Sequence, residues 1–153
     1  MKWGIFMKRI AAALIAAGMA LSVVPAASAA DHAQLTNVRT ERQPTFDRVV
    51  FDLTGGKPQD SVQPIAEPVS CGSGKPIAAK GVEFLEVRLQ PADGHSYTGP
   101  RNITTGLGTA QSVVFTCDFE ADLSIAIGVG HRNATYEAYF LDNPLRYVVD
   151  IKH

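Results

Sequence analysis

Beyond the first 29 residues, apolar side chains recur at every second position and nowhere sustain the three-and-four spacing of a helix. In Arg48-Val49-Val50-Phe51-Asp52-Leu53, the side chains of Val49, Phe51 and Leu53 point one way, and those of Arg48, Val50 and Asp52 the other. Residues 82–90 repeat the arrangement: Leu85, Val87 and Leu89 share one face, Glu86, Arg88 and Gln90 the other, and Pro91 stops the run. Further strand signals lie at residues 35–39, 61–65, 69–71, 112–119, 123–129, 135–141 and 145–151. Pro64 marks the third of the chain's strands as an edge or a strand end. Gly55-Gly56, Gly72 to Pro76 and Asn143-Pro144 supply turns, and residues 91–108, rich in Gly, Pro, Asn and Thr, read as the longest loop. Eight or nine short strands with no room for crossover helices predict an all-β fold, a small antiparallel β-sandwich.

The start of the chain is different. Lys2, Lys8 and Arg9 precede an apolar run over residues 10–24, Pro25 ends it, and Ala27-Ser28-Ala29 places small residues at a cleavage site. That order is the secretory pattern. The run is 15 residues long, whereas a spanning helix needs roughly 20. A signal-peptide helix over residues 1–29 and a mature domain over residues 30–153, beginning at Ala30 or Asp31, are therefore expected, with export from the cell. No Cys near the cleavage point offers a lipid anchor, so no membrane attachment is expected afterwards. Loss of Lys2, Lys8 and Arg9 leaves 11 basic residues against 15 acidic ones. A net-acidic domain without a basic block argues against nucleic acid or an anionic membrane as partner.

Two cysteines remain, Cys71 and Cys117. In an oxidising compartment they most simply pair. No second pair of closely spaced ligands supports a metal reading, and no cofactor motif is present. Asp118, Glu120 and Asp122 alternate in a way that offers oxygen ligands to calcium, but the tight glycine turn of a calcium loop is missing, and a solvated acidic strand end is the simpler reading.

One internal echo is visible. Arg48 to Leu53 and Arg146 to Ile151 share the order Arg, apolar, Val, apolar, Asp, apolar. If the two strands are neighbours, a parallel register sets Arg beside Arg and Asp beside Asp. An antiparallel register with Val50 opposite Val148 instead sets Arg48 against Asp150 and Asp52 against Arg146. The antiparallel arrangement is expected.

Val38-Arg39-Thr40, Phe46-Asp47-Arg48-Val49-Val50-Phe51, Tyr97-Thr98-Gly99-Pro100, Asp118-Phe119-Glu120 and the closing run from Asn143 to Ile151 resemble the AMIN-like domain of secreted actinobacterial proteins. The resemblance spans nearly all of the mature chain, and its closing element is also similar to the end of the AMIN domain proper. It implies a β-sandwich and, by that more distant kinship, targeting to the cell envelope through peptidoglycan. Cys71 and Cys117 stand outside the family pattern. No fused catalytic domain is expected.

Candidate binding residues fall in three places. His95, Tyr97 and Arg101 lie in the long loop, where ordered loops often carry binding, although Asp93-Gly94 is also an ordinary turn pair. Arg132 follows His131 in a second polar loop, with Tyr136 beyond it. Arg48 and Arg146 share the Arg–Asp face of the echo, which pairs internally or meets a polar ligand. Catalysis finds less support: Gly72-Ser73-Gly74 is not a nucleophile elbow, and no base accompanies it. The expected function is a secreted, non-enzymatic module that binds peptidoglycan, another envelope glycan or an envelope protein. A secreted enzyme of unrecognised type and a protein-binding module at the cell surface are the alternatives. The single tryptophan, Trp3, lies in the leader, so glycan recognition would use Tyr and Arg.

Overall fold

The computed structural model describes residues 31–153. The expected signal-peptide helix and cleavage site lie outside the described residues. Ten strands form two five-stranded sheets. They are β1 (Ala33–Arg42), β2 (Phe46–Thr54), β3 (Gln59–Ile65), β4 (Glu83–Gln90), β5 (Ala92–Asp93), β6 (Asn102–Thr104), β7 (Ala110–Phe119), β8 (Asp122–Val129), β9 (Tyr136–Leu141) and β10 (Arg146–Lys152). The first sheet has the order β5-β1-β2-β10-β9 and the second β3-β4-β8-β7-β6.

The alternating side chains meet where the two sheets face each other. Val49, Phe51 and Leu53 of β2 and Tyr147, Val149 and Ile151 of β10 pack in one buried cluster with Leu85, Val87 and Leu89 of β4 and Leu123, Ile125 and Ile127 of β8. Burial of this apolar surface is the main stabilising contribution to such a fold. Polar ties then fix the two sheets relative to each other. Asp47 on β2 is almost fully buried, and its carboxylate accepts the backbone N–H groups of Thr109 and Ala110 at the start of β7 and faces the His153 ring. The Tyr147 hydroxyl donates to Asp60 on β3 at 2.7 Å. Burial and the Asp60 carboxylate together push the Tyr147 phenol well above its ordinary range.

Three details differ from the sequence reading. There are ten strands instead of eight or nine, because β5 and β6 form inside the stretch expected as one loop. The sandwich is antiparallel except at β5, which pairs parallel with β1. Residues 69–71 make a single bridge, Val69 with Pro76, and no strand. That bridge belongs to a segment, residues 66–81, which crosses the outside of the second sheet. Beneath it Phe84, Val114 and Ala126 form a second small core with Ile65, Ile77 and Ala79. Cys71 and Cys117 are bonded, with Cα atoms 5.2 Å apart, and the Cys71 N–H donates to Thr116 O. The disulfide therefore fastens this cover to β7.

Candidate functional site

The outward face of the first sheet is built by register. β2 pairs antiparallel with β10, with Val50 opposite Val148 and Arg48 opposite Asp150, as the echo predicts. β1 and β9 extend the same rows. Arg39, Val50, Val148 and Tyr139 lie in one row; Glu41, Arg48, Asp150 and Glu137 in the next; Asn37, Asp52, Arg146 and Leu141 in the third. Val50 and Val148 are 4% and 1% exposed. Their burial on a bare face is accounted for by the long side chains that flank them in register.

Charges on this face are cross-linked. Arg48 donates from Nε and Nη2 to the two Asp150 oxygens at 2.8 and 2.9 Å, and the Tyr139 hydroxyl donates to Asp150 Oδ2 at 2.9 Å. Burial opposes ionisation of Asp150, but the hydrogen bonds from Arg48 and Tyr139 outweigh it and hold its carboxyl below the usual range. The second expected pair does not form. Asp52 faces Arg146 in register, yet its two oxygens accept from Nε and Nη2 of Arg39, both at 2.8 Å. Arg146 turns its Nε to Pro144 O at 3.2 Å. The reason is geometric: Arg39 on the neighbouring strand presents the guanidinium fork side-on and satisfies both carboxylate oxygens at once. Arg146 thereby remains without a carboxylate partner among the described residues.

The long-loop candidates converge at one end of the sandwich. Asp93 is 5% exposed and accepts the His95 N–H at 3.0 Å, while His32 Nε2 lies 2.5 Å from its other oxygen. Asp118 accepts the Gly94 N–H at 3.0 Å and Arg101 Nη1 at 2.7 Å. Arg101 also donates to Gly94 O and lies over the Phe115 ring, on which Tyr97 stacks. The Tyr97 hydroxyl donates to Pro100 O. Every carboxylate oxygen here is thus used to hold the loop, and the cluster reads as an anchor. Burial works against the Asp93 anion, but the His95 N–H and the His32 ring lower its pKa in balance. His95 itself is mostly exposed, 3.7 Å from each of the two aspartates.

Arg132 and Tyr136 are separated from both places. The Tyr136 hydroxyl donates across the sandwich to Val62 O on β3. Arg132 stands exposed in the middle of the β8–β9 connection, beside β3 and β4. The structure therefore brings His95, Tyr97 and Arg101 together, sets Arg48 and Arg146 on one face, and leaves Arg132 and Tyr136 elsewhere.

Sequence reasoning missed Arg39, Tyr139, His32 and Asp47. Arg39 was legible as an outward residue of a strand, but nothing local said which carboxylate it would meet. The alternating Asp118 and Asp122 are each held by arginines, Arg101 and Arg88.

Compared with known proteins, residues 33–153 match the family model described as the AMIN-like domain. No curated protein and no solved structure matches the chain.

Proposed function

The chain belongs to the AMIN-like family, and from that premise we propose that it is a non-enzymatic module that binds the cell envelope, with peptidoglycan as the first ligand to test. Family membership over almost the whole described domain carries the reading, since AMIN domains are associated with cell-wall targeting. The disulfide and the family together suggest an extracytoplasmic location.

The outward face of the first sheet is the proposed contact surface. It is broad, and it presents guanidinium, carboxylate, phenol and amide groups in fixed rows. Such groups suit the hydroxyls of a glycan and the carboxylates of its peptides. Arg146 is the proposed anchor, because its fork is not taken by a carboxylate of the face. Arg48 and Arg39 are positioning residues that keep the neighbouring acids occupied. The aspartates of the loop cluster are engaged in holding backbone, which favours binding over catalysis.

The test is co-sedimentation of the purified exported chain with insoluble peptidoglycan and, separately, with whole envelope. Binding to peptidoglycan that falls about tenfold in Arg146→Glu at unchanged melting temperature supports the reading; a loss of one charge-assisted hydrogen bond is of that size. A chain that stays in the supernatant with both materials overturns it.

A further inference from the structure

A depression of about 380 Å³ lies on the other sheet, where β3 ends and β4 begins, lined by Pro64, Ile65, Ala66, Val82, Glu83 and Arg132. About half of its lining is apolar, a floor supplied by Pro64, Ile65, Ala66 and Val82, and Val82 is one of the few large hydrophobic side chains left exposed, at 49%. Two opposite charges flank that floor. The backbone around them is pinned on all sides. Gly130 N–H donates to Thr109 O, His131 Nε2 lies 3.1 Å from Lys152 O, and Thr135 O accepts the Lys152 N–H. Asn133 sits in the left-handed region at φ 56° and donates its N–H to Glu83 Oε2 at 2.9 Å. Asparagine is one of the few residues with a side chain that adopts this region readily, and the Glu83 bond ties the turn to β4. Arg132 is the residue between these fixing points, and its guanidinium has no protein acceptor among the described residues. Glu83 spends one oxygen on Asn133 and keeps Oε1 for another donor.

We infer that this depression is a binding subsite for a zwitterionic α-amino-acid head carrying an aliphatic stem. Arg132 takes the carboxylate as a fork, Glu83 Oε1 accepts from the ammonium, and the stem lies on Val82, Ile65 and Pro64. The choice of ligand follows from charge. A phosphate or sulfate would gain from Arg132 and lose to Glu83, since like charges a few ångströms apart near a protein surface repel by kcal-scale amounts. A simple ammonium ligand meets the converse. Only a group with both charges gains from both walls, and the apolar floor adds a requirement for a hydrocarbon stem. The size accommodates one amino-acid unit. Such heads occur as free amino acids and at the side-chain ends of diamino-acid residues in wall peptides. The inference goes beyond the envelope reading, because it stands on the opposite sheet from Arg146 and does not require the chain to bind the wall.

The experiment is an NMR titration of the exported chain with norvaline, its N-acetyl derivative, its amide and inorganic phosphate. Norvaline is expected to shift the amides of Val82, Glu83 and Asn133 with a dissociation constant of roughly 1 mM, the weak end for small ligands. Removing either charge of the ligand is expected to weaken binding about tenfold. Arg132→Gln abolishes the preference for norvaline over its amide, and Glu83→Gln abolishes that over the N-acetyl form. Glutamine at position 83 keeps an acceptor for Asn133, and an unchanged melting temperature checks that the loop is intact. Soluble wall peptides that displace norvaline identify the wall as a source of the ligand. Equal binding of norvaline and its N-acetyl form, displacement by phosphate, or shifts confined to the Arg146 face overturn the inference. Wall sedimentation with no response to norvaline rejects the subsite alone, whereas a norvaline response without sedimentation rejects the envelope reading alone.

Discussion

The two outward faces of this sandwich solve the same problem differently. Both sheets are hydrophobic on the inside, and each also carries apolar residues on its outer side. On the first sheet these are Val50 and Val148, and long charged side chains cross-linked in register shelter them. On the second they are Phe84, Val114 and Ala126, and a separate chain segment, residues 66–81, lies over them. The cover needs fastening because it has almost no ladder of its own: one bridge, a disulfide and a few single hydrogen bonds. It crosses β8 at Gly128, where any side chain would collide with the Lys80 carbonyl. The lesson is that a roof of side chains leaves the sheet accessible to a ligand, and a roof of backbone removes the part of the sheet beneath it. That difference is why the proposed wall-contact face is on the first sheet.

Removing the fastening is the largest expected effect. The bridged cysteines are 46 residues apart, and loss of a native disulfide with a loop of that size costs about 2–5 kcal/mol. Cys71→Ser combined with Cys117→Ser is expected to lower the melting temperature by on the order of 10 °C. Hydrogen exchange should speed up first at Phe84, Val114 and Ala126. Equal deprotection of Val50 and Val148 would break the comparison, because it would mean that the cover supports both faces.

Acid is the next probe. Asp47, Asp52, Asp93 and Asp150 all have lowered pKa values, and all four bind a cationic or N–H partner. For Asp47, burial raises the pKa, and the His153, Ala110 and Thr109 bonds overcome it; for Asp52, the Arg39 hydrogen bond is the leading cause. A carboxyl depressed in the folded state binds fewer protons there than in the unfolded chain. Its stabilisation is complete above the unfolded value of about 3.9 and is lost as pH falls through the folded value. Thermal unfolding from pH 7 to pH 2 should therefore show a flat stability down to about pH 5 and a steady loss from about pH 4 downward. In Asp47→Asn the acid slope should be shallower. An unchanged slope would exclude Asp47 as an acid-sensitive tie between the sheets.

The alternation of apolar residues made most of the strands and the inward faces of β2 and β4 legible, because a half-buried strand leaves a period of two. Once β2 and β10 are taken as neighbours, their register was legible from charge, since only one alignment sets Arg48 against Asp150. Strands as short as Ala92–Asp93 were not, because two residues have no period. The β7–β8 hairpin turns at Glu120 and Ala121, both at positive φ, without the Asn or Gly that normally marks such a turn. The site was harder to read. Arg39 reaches Asp52 only because β1 and β2 are neighbours, and Arg132 is noteworthy only because its neighbours are pinned around it. Both are properties of pairing at a distance and leave no local trace.

Within the first face, the Arg48–Asp150 pair should matter more than its outermost neighbour. Asp150 is buried, and Asp150→Ala leaves the Arg48 Nε and the Tyr139 hydroxyl proton without their acceptor, while Arg48 Nη2 keeps only the Tyr139 oxygen at 3.0 Å. A cost of about 1.5–3 kcal/mol is expected. Arg48→Asp combined with Asp150→Arg should recover part of the stability lost by Arg48→Asp alone. Recovery stays incomplete because Tyr139 donates to the carboxylate at position 150 and finds none there after the swap. No recovery at all in urea unfolding would reject the pairing as a determinant of register.

The smallest stability effect is expected at Arg39, and it bears on function. The Arg39–Asp52 pair is solvent-exposed, and such pairs contribute about 0.2–1 kcal/mol. Arg39→Ala should cost even less than that, because Arg146 stands opposite Asp52 in register and needs only to leave Pro144 O to replace the lost partner. The two arginines are then coupled through one carboxylate. Arg39→Ala and Arg146→Ala should each be nearly silent in thermal unfolding, and the double variant should lose more than their sum, as expected for residues sharing a partner. Wall binding should respond in the opposite proportion. Once Arg146 is drawn onto Asp52, it is no longer available to a ligand, so Arg39→Ala should weaken co-sedimentation with peptidoglycan although Arg39 is not the proposed anchor. Adding Asp52→Asn to Arg39→Ala removes the competitor and should restore binding. Additive unfolding costs together with wild-type sedimentation in Arg39→Ala would show that Arg146 does not exchange partners, and would reject the coupling of the two arginines through Asp52.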